Sequence, residues 1–115
     1  MMLKNATSKK VLAGKVKVCD SVLSKAVGLM FRRKIMDEAY LFTFPRAQRV
    51  SLHMLFVLFP IDVLFLDDEK RVVEIKENFR PFTFYFPKRK AKYVIELPAG
   101  RAEGTEVGDR IEFQR

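Results

Sequence analysis

The chain has 115 residues, 49% hydrophobic and 31% charged, with one cysteine, no tryptophan and a net charge of +8. That balance describes one globular domain, and it excludes a disordered polymer and a disulfide-stapled secreted scaffold. Residues 1–50 hold eleven basic side chains against three acidic ones while the remainder is balanced, a pattern that suits either an acidic partner or a charged, amide-poor surface of thermophile type.

In chain order, residues 1–8 carry no pattern and are expected to be loose, with a single β domain over 9–115. The start is basic but lacks the apolar core of roughly 7–15 residues that marks a signal peptide, so the cytoplasm is the expected compartment. Residues 9–20 include the alternation Val16-Lys17-Val18 and read as a strand. Asp20 or Ser21 can then accept from the free N–H groups at a helix start. Val22, Leu23, Ala26, Val27 and Met30 form one apolar stripe, which predicts the single main helix inside 20–32. Arg32, Arg33 and Lys34 suit the negative pole at its end.

A strand over 40–44 is expected to stop at Pro45. The stretch 51–67, SLHMLFVLFPIDVLFLD, is the most apolar part of the chain, yet it holds the only histidine, a proline and an aspartate. Its apolar run is shorter than the roughly 20 residues a spanning helix needs, so it reads as a central strand pair, 50–59 and 61–66. Residues 67–70 make a turn and 71–76 return, closing a hairpin over 61–76. Phe82, Phe84 and Phe86 alternate with Thr83 and Tyr85 between Pro81 and Pro87, a further strand period that would feed a core. Residues 92–97 form another strand, and Val107-Gly108-Asp109 turns the chain into a last one over 110–113. Many short strands and one helix predict an all-β fold, an antiparallel sandwich or barrel. The expected core contains Leu55, Val57, Phe59, Val63, Phe65, Val94 and Ile95.

Three blocks carry a further pattern. Ala26-Val27-Gly28-Leu29-Met30-Phe31-Arg32 is followed by Leu41-Phe42-Thr43-Phe44. His53-Met54 then precedes Pro60-Ile61-Asp62-Val63-Leu64-Phe65-Leu66-Asp67. Val94-Ile95-Glu96-Leu97-Pro98-Ala99-Gly100 comes last, with Val107-Gly108-Asp109 behind it. In order and spacing these resemble the family called domain of unknown function 192, from about residue 26 to 113. The resemblance implies a compact, mainly β sandwich or barrel with a short helix near its start, and no agreed activity. Many family members carry tryptophan where this chain has His53.

For chemistry, Asp62 and His53 stand out because a carboxylate and an imidazole in apolar surroundings must be hydrogen-bonded, neutralised or used. Asp62 reads either as a pocket carboxylate or as an acceptor of backbone N–H groups at the strand entry, the second being ordinary turn chemistry after proline. With one histidine and one cysteine, no metal site with the usual nitrogen and sulfur ligands is expected. A Cu(I) site from Met30, His53 and Met54 is chemically conceivable but weak, since methionine commonly fills aromatic cores. No spacing supports Cys19 with His53 as a nucleophilic pair, and a lone cysteine in a strand is an ordinary small hydrophobe.

The favoured reading is a small binding module without a cofactor. Met30, Arg32, His53, Met54 and Asp62 would line one pocket for a small, anionic ligand, with Arg32 as the bidentate partner. One alternative is a nucleic-acid-associated protein using its basic surface with Tyr85, Lys88, Arg89 and Lys90, where aromatics interleave with cations. The other is an enzyme with Asp62 and His53 as acid and base. No membrane partner is expected, and the pattern does not fix an oligomeric state.

Overall fold

The structure, a computed structural model, describes residues 2–19, 37–50, 52–53 and 59–113, with backbone only at 52–53. Ten strands make up the described fold: β1 (Leu3–Asn5), β2 (Lys10–Ala13), β3 (Lys15–Cys19), β4 (Glu38–Gln48), β5 (Leu52–His53), β6 (Ile61–Leu66), β7 (Val72–Phe79), β8 (Phe84–Tyr85), β9 (Ala91–Pro98) and β10 (Ile111–Glu112). No helix occurs among the described residues, and the helix expected inside 20–32 lies outside them.

The centre is a five-stranded open sheet in the order β3-β4-β9-β6-β7. Its middle strands are apolar on both faces because both faces are covered. Cys19, Tyr40, Phe42, Ile61, Val63, Phe65, Phe79 and Val94 form a buried cluster on the first face. The two-stranded ribbon β5-β8 meets this cluster through Tyr85, whose ring centroid lies 5.8 Å from Phe65 and 6.2 Å from Phe79. On the second face Leu41, Leu64, Leu66, Ile95 and Leu97 pack with Leu3, Leu12 and Ile111 from the three-stranded sheet β10-β1-β2. The mainly β expectation holds, in layers of open sheets and not as a closed barrel. Of the expected core, Phe59, Val63, Phe65, Val94 and Ile95 are buried, whereas Leu55 and Val57 lie outside the described residues.

Several local expectations are corrected. The start is tied down: Leu3 and Asn5 are fully buried in β1. The Asn5 side-chain amide donates to Thr105 Oγ1 at 3.2 Å and Asp109 Oδ2 at 2.9 Å, joining β1 to the Val107-Gly108-Asp109 turn. The strand expected over 9–20 is two strands broken at Gly14, where the chain passes from one sheet to the other. A Cβ at Gly14 would meet the carboxylate of Asp37, so a larger residue there would have to push that exposed side chain aside. β3 and β4 run parallel, the one exception to antiparallel pairing among the described strands; the residues between them supply the dozen or so that a parallel connection needs. β4 does not stop at Pro45 but continues to Gln48. Proline is tolerated because the ladder shifts register between Thr43 and Gln48, so no pairing N–H is lost there. β5 pairs with β8, not with β6, which lies between β7 and β9.

Candidate functional site

Asp62 and Glu96 sit on the neighbouring strands β6 and β9, and they face opposite ways. Asp62 is opposite Leu97, and Glu96 is opposite Val63. Strand alternation sends Asp62 to the second face with Leu64 and Leu66, and Glu96 to the first face with Val94.

Asp62 is buried, and its carboxylate is fully engaged by backbone. Oδ1 accepts from Asn78 N at 2.9 Å, and Oδ2 accepts from Gly100 N and Ala102 N, each at 2.9 Å. Gly100 has φ of +93°, a left-handed conformation that aims the turn after β9 back at the carboxylate. Asp62 therefore fastens the 98–102 turn and the end of β7 to the sheet. Its expected neighbours in a pocket, Met30, Arg32, Met54 and the His53 side chain, lie outside the described residues.

Glu96 was missed by sequence reasoning. Read across the sheet, one row runs Lys17, Tyr40, Glu96, Val63, Lys76. The next row on the same face is Cys19, Phe42, Val94, Phe65, Glu74. Among the described residues no side chain hydrogen-bonds or ion-pairs with the Glu96 carboxyl. Part of the residue stays accessible, but crowding of the carboxyl by protein removes its hydration, and its pKa is pushed up to about 8. At neutral pH it is mostly an uncharged acid, able to donate one hydrogen bond. The Lys17 ammonium lies 5.8 Å from the Tyr40 ring centroid, which puts a cation beside this row. Signals for Glu96 were present in Val94-Ile95-Glu96-Leu97, a charged residue inside an apolar strand. Its surroundings depend on strand order, which local pattern does not reveal.

The 82–90 segment inverts the expected alternation. Tyr85 points inward, and its hydroxyl donates to Glu74 Oε2. Burial and then Glu74 push the phenol up to about 12. The three phenylalanines expected to feed the core are exposed: Phe82 62%, Phe84 58% and Phe86 70%. Lys88 N and Arg89 N donate to Glu74 Oε1, each at 2.9 Å, while the side chains of Lys88, Arg89 and Lys90 stand in solvent. Among the described residues no group of three His, Cys, Asp or Glu side chains could hold a metal, and Cys19 is buried. No helix there is long and apolar enough to cross a membrane.

A mainly β protein built around a five-stranded sheet, with one carboxylate spent on its turns and another set in its apolar face, is the class these features define. The chain belongs to the DUF192 family, described as "Uncharacterized ACR", whose model matches residues 3–113. It is 41% identical to a UPF0127 protein of Thermococcus sibiricus over 98% of this chain and 75% of that one. It is 39% identical to a UPF0127 protein of Pyrococcus furiosus, over 96% and 97% of the two chains. A solved structure from Sinorhizobium meliloti 1021, described as a candidate transcription regulator, is similar with a TM-score of 0.82 and 28% identity, covering 96% of this chain and 89% of that one. A protein of unknown function from Novosphingobium aromaticivorans shares the fold, with a TM-score of 0.84 at 23% identity over 97% and 82%.

Proposed function

We propose that this chain is a small binding module whose ligand is a small oxyanion or carboxylate anchored by Glu96. The observation that carries the reading is a partly accessible acid in an apolar sheet face, without a hydrogen-bond or ion-pair partner among the described residues and with its pKa pushed up to about 8. Such groups gather at functional sites because their desolvation must be repaid by what they bind or transfer. As an uncharged acid Glu96 donates to an anion's oxygen, and the row it occupies has a lysine at each end, Lys17 and Lys76. Each lysine Cα is two strands, or roughly 10 Å, from that of Glu96. Long flexible stems can bring both ammonium groups toward a ligand between them. An acid–base enzyme using Asp62 and His53 is the weaker reading, because both Asp62 oxygens are already engaged by backbone N–H groups as a structural anchor. Cys19, buried and the chain's single cysteine, agrees with a cytoplasmic setting.

The test is thermal stabilisation by acetate, succinate and inorganic phosphate, measured at pH 6 and pH 9. One of these probes should raise the melting temperature at pH 6 and lose its effect at pH 9, where ionised Glu96 repels it. Glu96→Gln keeps a donor and should retain part of the effect, whereas Glu96→Ala should abolish it. An equal response in Glu96→Ala and the unaltered chain would refute the site.

A further inference from the structure

Away from Glu96, the exposed side of the β5-β8 ribbon combines two features that a soluble surface does not need. Phe84 and Phe86 stack with parallel rings, 6.3 Å between centroids and 6° between planes, and Phe82 stands beside them in sequence with a left-handed φ of 63°. Three large apolar rings in solvent make a patch of the kind that marks a binding surface. Tyr85 is packed beneath them on Phe65 and Phe79, and Glu74 holds the backbone of Lys88 and Arg89. The platform is therefore fixed to the sheet and is not a free loop.

The second feature is charge. Arg80, Lys88, Arg89 and Lys90 are exposed around the rings. The pairing of Gln48 with Ala91 sets the next residue, the exposed Arg49, near Lys90, and Arg46 is exposed at the same end of β4. The sequence stretches 39–53 and 79–95 contain no Asp or Glu. Among the described residues the one carboxylate bonded to this segment, Glu74, is already used by Tyr85 and two backbone N–H groups.

We infer that this ridge of Phe82, Phe84 and Phe86, flanked by Lys88, Arg89, Lys90, Arg46 and Arg49, binds single-stranded nucleic acid. Unpaired bases expose flat faces that stack on aromatic rings, and the cations on either side neutralise the connecting phosphates. A duplex keeps its bases stacked inside and would use only the charges. An anionic membrane would also attract the cations, but it favours an apolar tip that protrudes and inserts, whereas these rings lie on a segment anchored from below by Tyr85 and Glu74. The inference is independent of the Glu96 site, since the two involve different side chains on different strands.

The experiment is fluorescence anisotropy with a labelled mixed-sequence single-stranded DNA 12-mer and its RNA counterpart. The matching duplex and phosphatidylserine-containing vesicles serve as competitors, and salt is varied. The single strand should bind more tightly than the duplex and should not be displaced by vesicles. Phe84→Ala/Phe86→Ala should weaken it by about tenfold or more. Lys88→Ala/Arg89→Ala/Lys90→Ala should flatten the salt slope by about 2. Because all these side chains are exposed, both variants should keep the parent circular dichroism and melting temperature. Absence of binding, equal duplex affinity, or an unchanged affinity in the phenylalanine variant would overturn the inference. Displacement by vesicles would overturn it in favour of a membrane surface.

Discussion

Two carboxylates one residue out of register on paired strands meet opposite fates in this fold. On the second face Asp62 is buried but receives three backbone N–H bonds, so its charge is compensated and it locks two turns to the sheet. On the first face Glu96 receives no such bonds from the described residues, and burial drives its pKa to about 8. Depth inside a protein does not by itself decide what an acid does. The local supply of donors does.

The sharpest way to break this comparison is Asp62→Ala, which leaves three N–H donors without their acceptor. Each orphaned buried donor costs about 1–3 kcal/mol, so a loss of about 3–5 kcal/mol is expected in denaturant titration. A loss under about 1 kcal/mol would mean that water replaces the carboxylate easily. Glu96→Leu should do the reverse and stabilise the protein, by about 1–3 kcal/mol at pH 9, where the native carboxyl is ionised in apolar surroundings. The sign follows from linkage. A carboxyl whose folded pKa is raised binds more protons in the native state, so its contribution is full below the unfolded value, near 4.5, and is lost as pH rises through about 8. Stability of the unaltered chain should fall across that window, and Glu96→Leu should flatten the fall.

A smaller effect sharpens the role of Asp62. Arg101 lies in the same turn and donates to Asp37 Oδ1 at 2.8 Å and to the Leu12 carbonyl at 2.9 Å. Asp37 has its pKa lowered, first by this hydrogen bond and then by one from the Gly14 backbone. Both partners are substantially exposed, so Arg101→Ala should cost clearly less than Asp62→Ala. A larger cost would shift the anchoring of the turn from Asp62 to this pair. The smallest effect is expected from Phe84→Ala/Phe86→Ala, a change within about 0.5 kcal/mol in thermal unfolding, as for other exposed positions. A marked loss there would place those rings in a packed interface.

Much of the frame was legible in the sequence where interactions are local. The hairpin over 61–76, the strand over 92–97 and the Val107-Gly108-Asp109 turn follow from alternation and turn residues, and the turn chemistry of Asp62 from its place after Pro60. Alternation alone did not say which side of 82–86 faces inward, since four of its five residues are aromatic and both sides offer a ring. Tyr85 took the core side because its hydroxyl finds Glu74 there. The parallel pairing of β3 with β4 and the burial of β1 depend on partners far along the chain, and so does the setting of Glu96 between Tyr40 and Val63. Such partners leave no mark in a local pattern.

The account rests on Glu96 being an uncharged acid at neutral pH. Carbon-13 NMR of the side-chain carboxyl, assigned by comparison with Glu96→Gln and followed from pH 3 to pH 10, reads this directly. The carboxyl resonance should titrate with a midpoint near 8. A Glu96 midpoint between about 4 and 5, the ordinary range of a solvated carboxyl, would contradict the central claim.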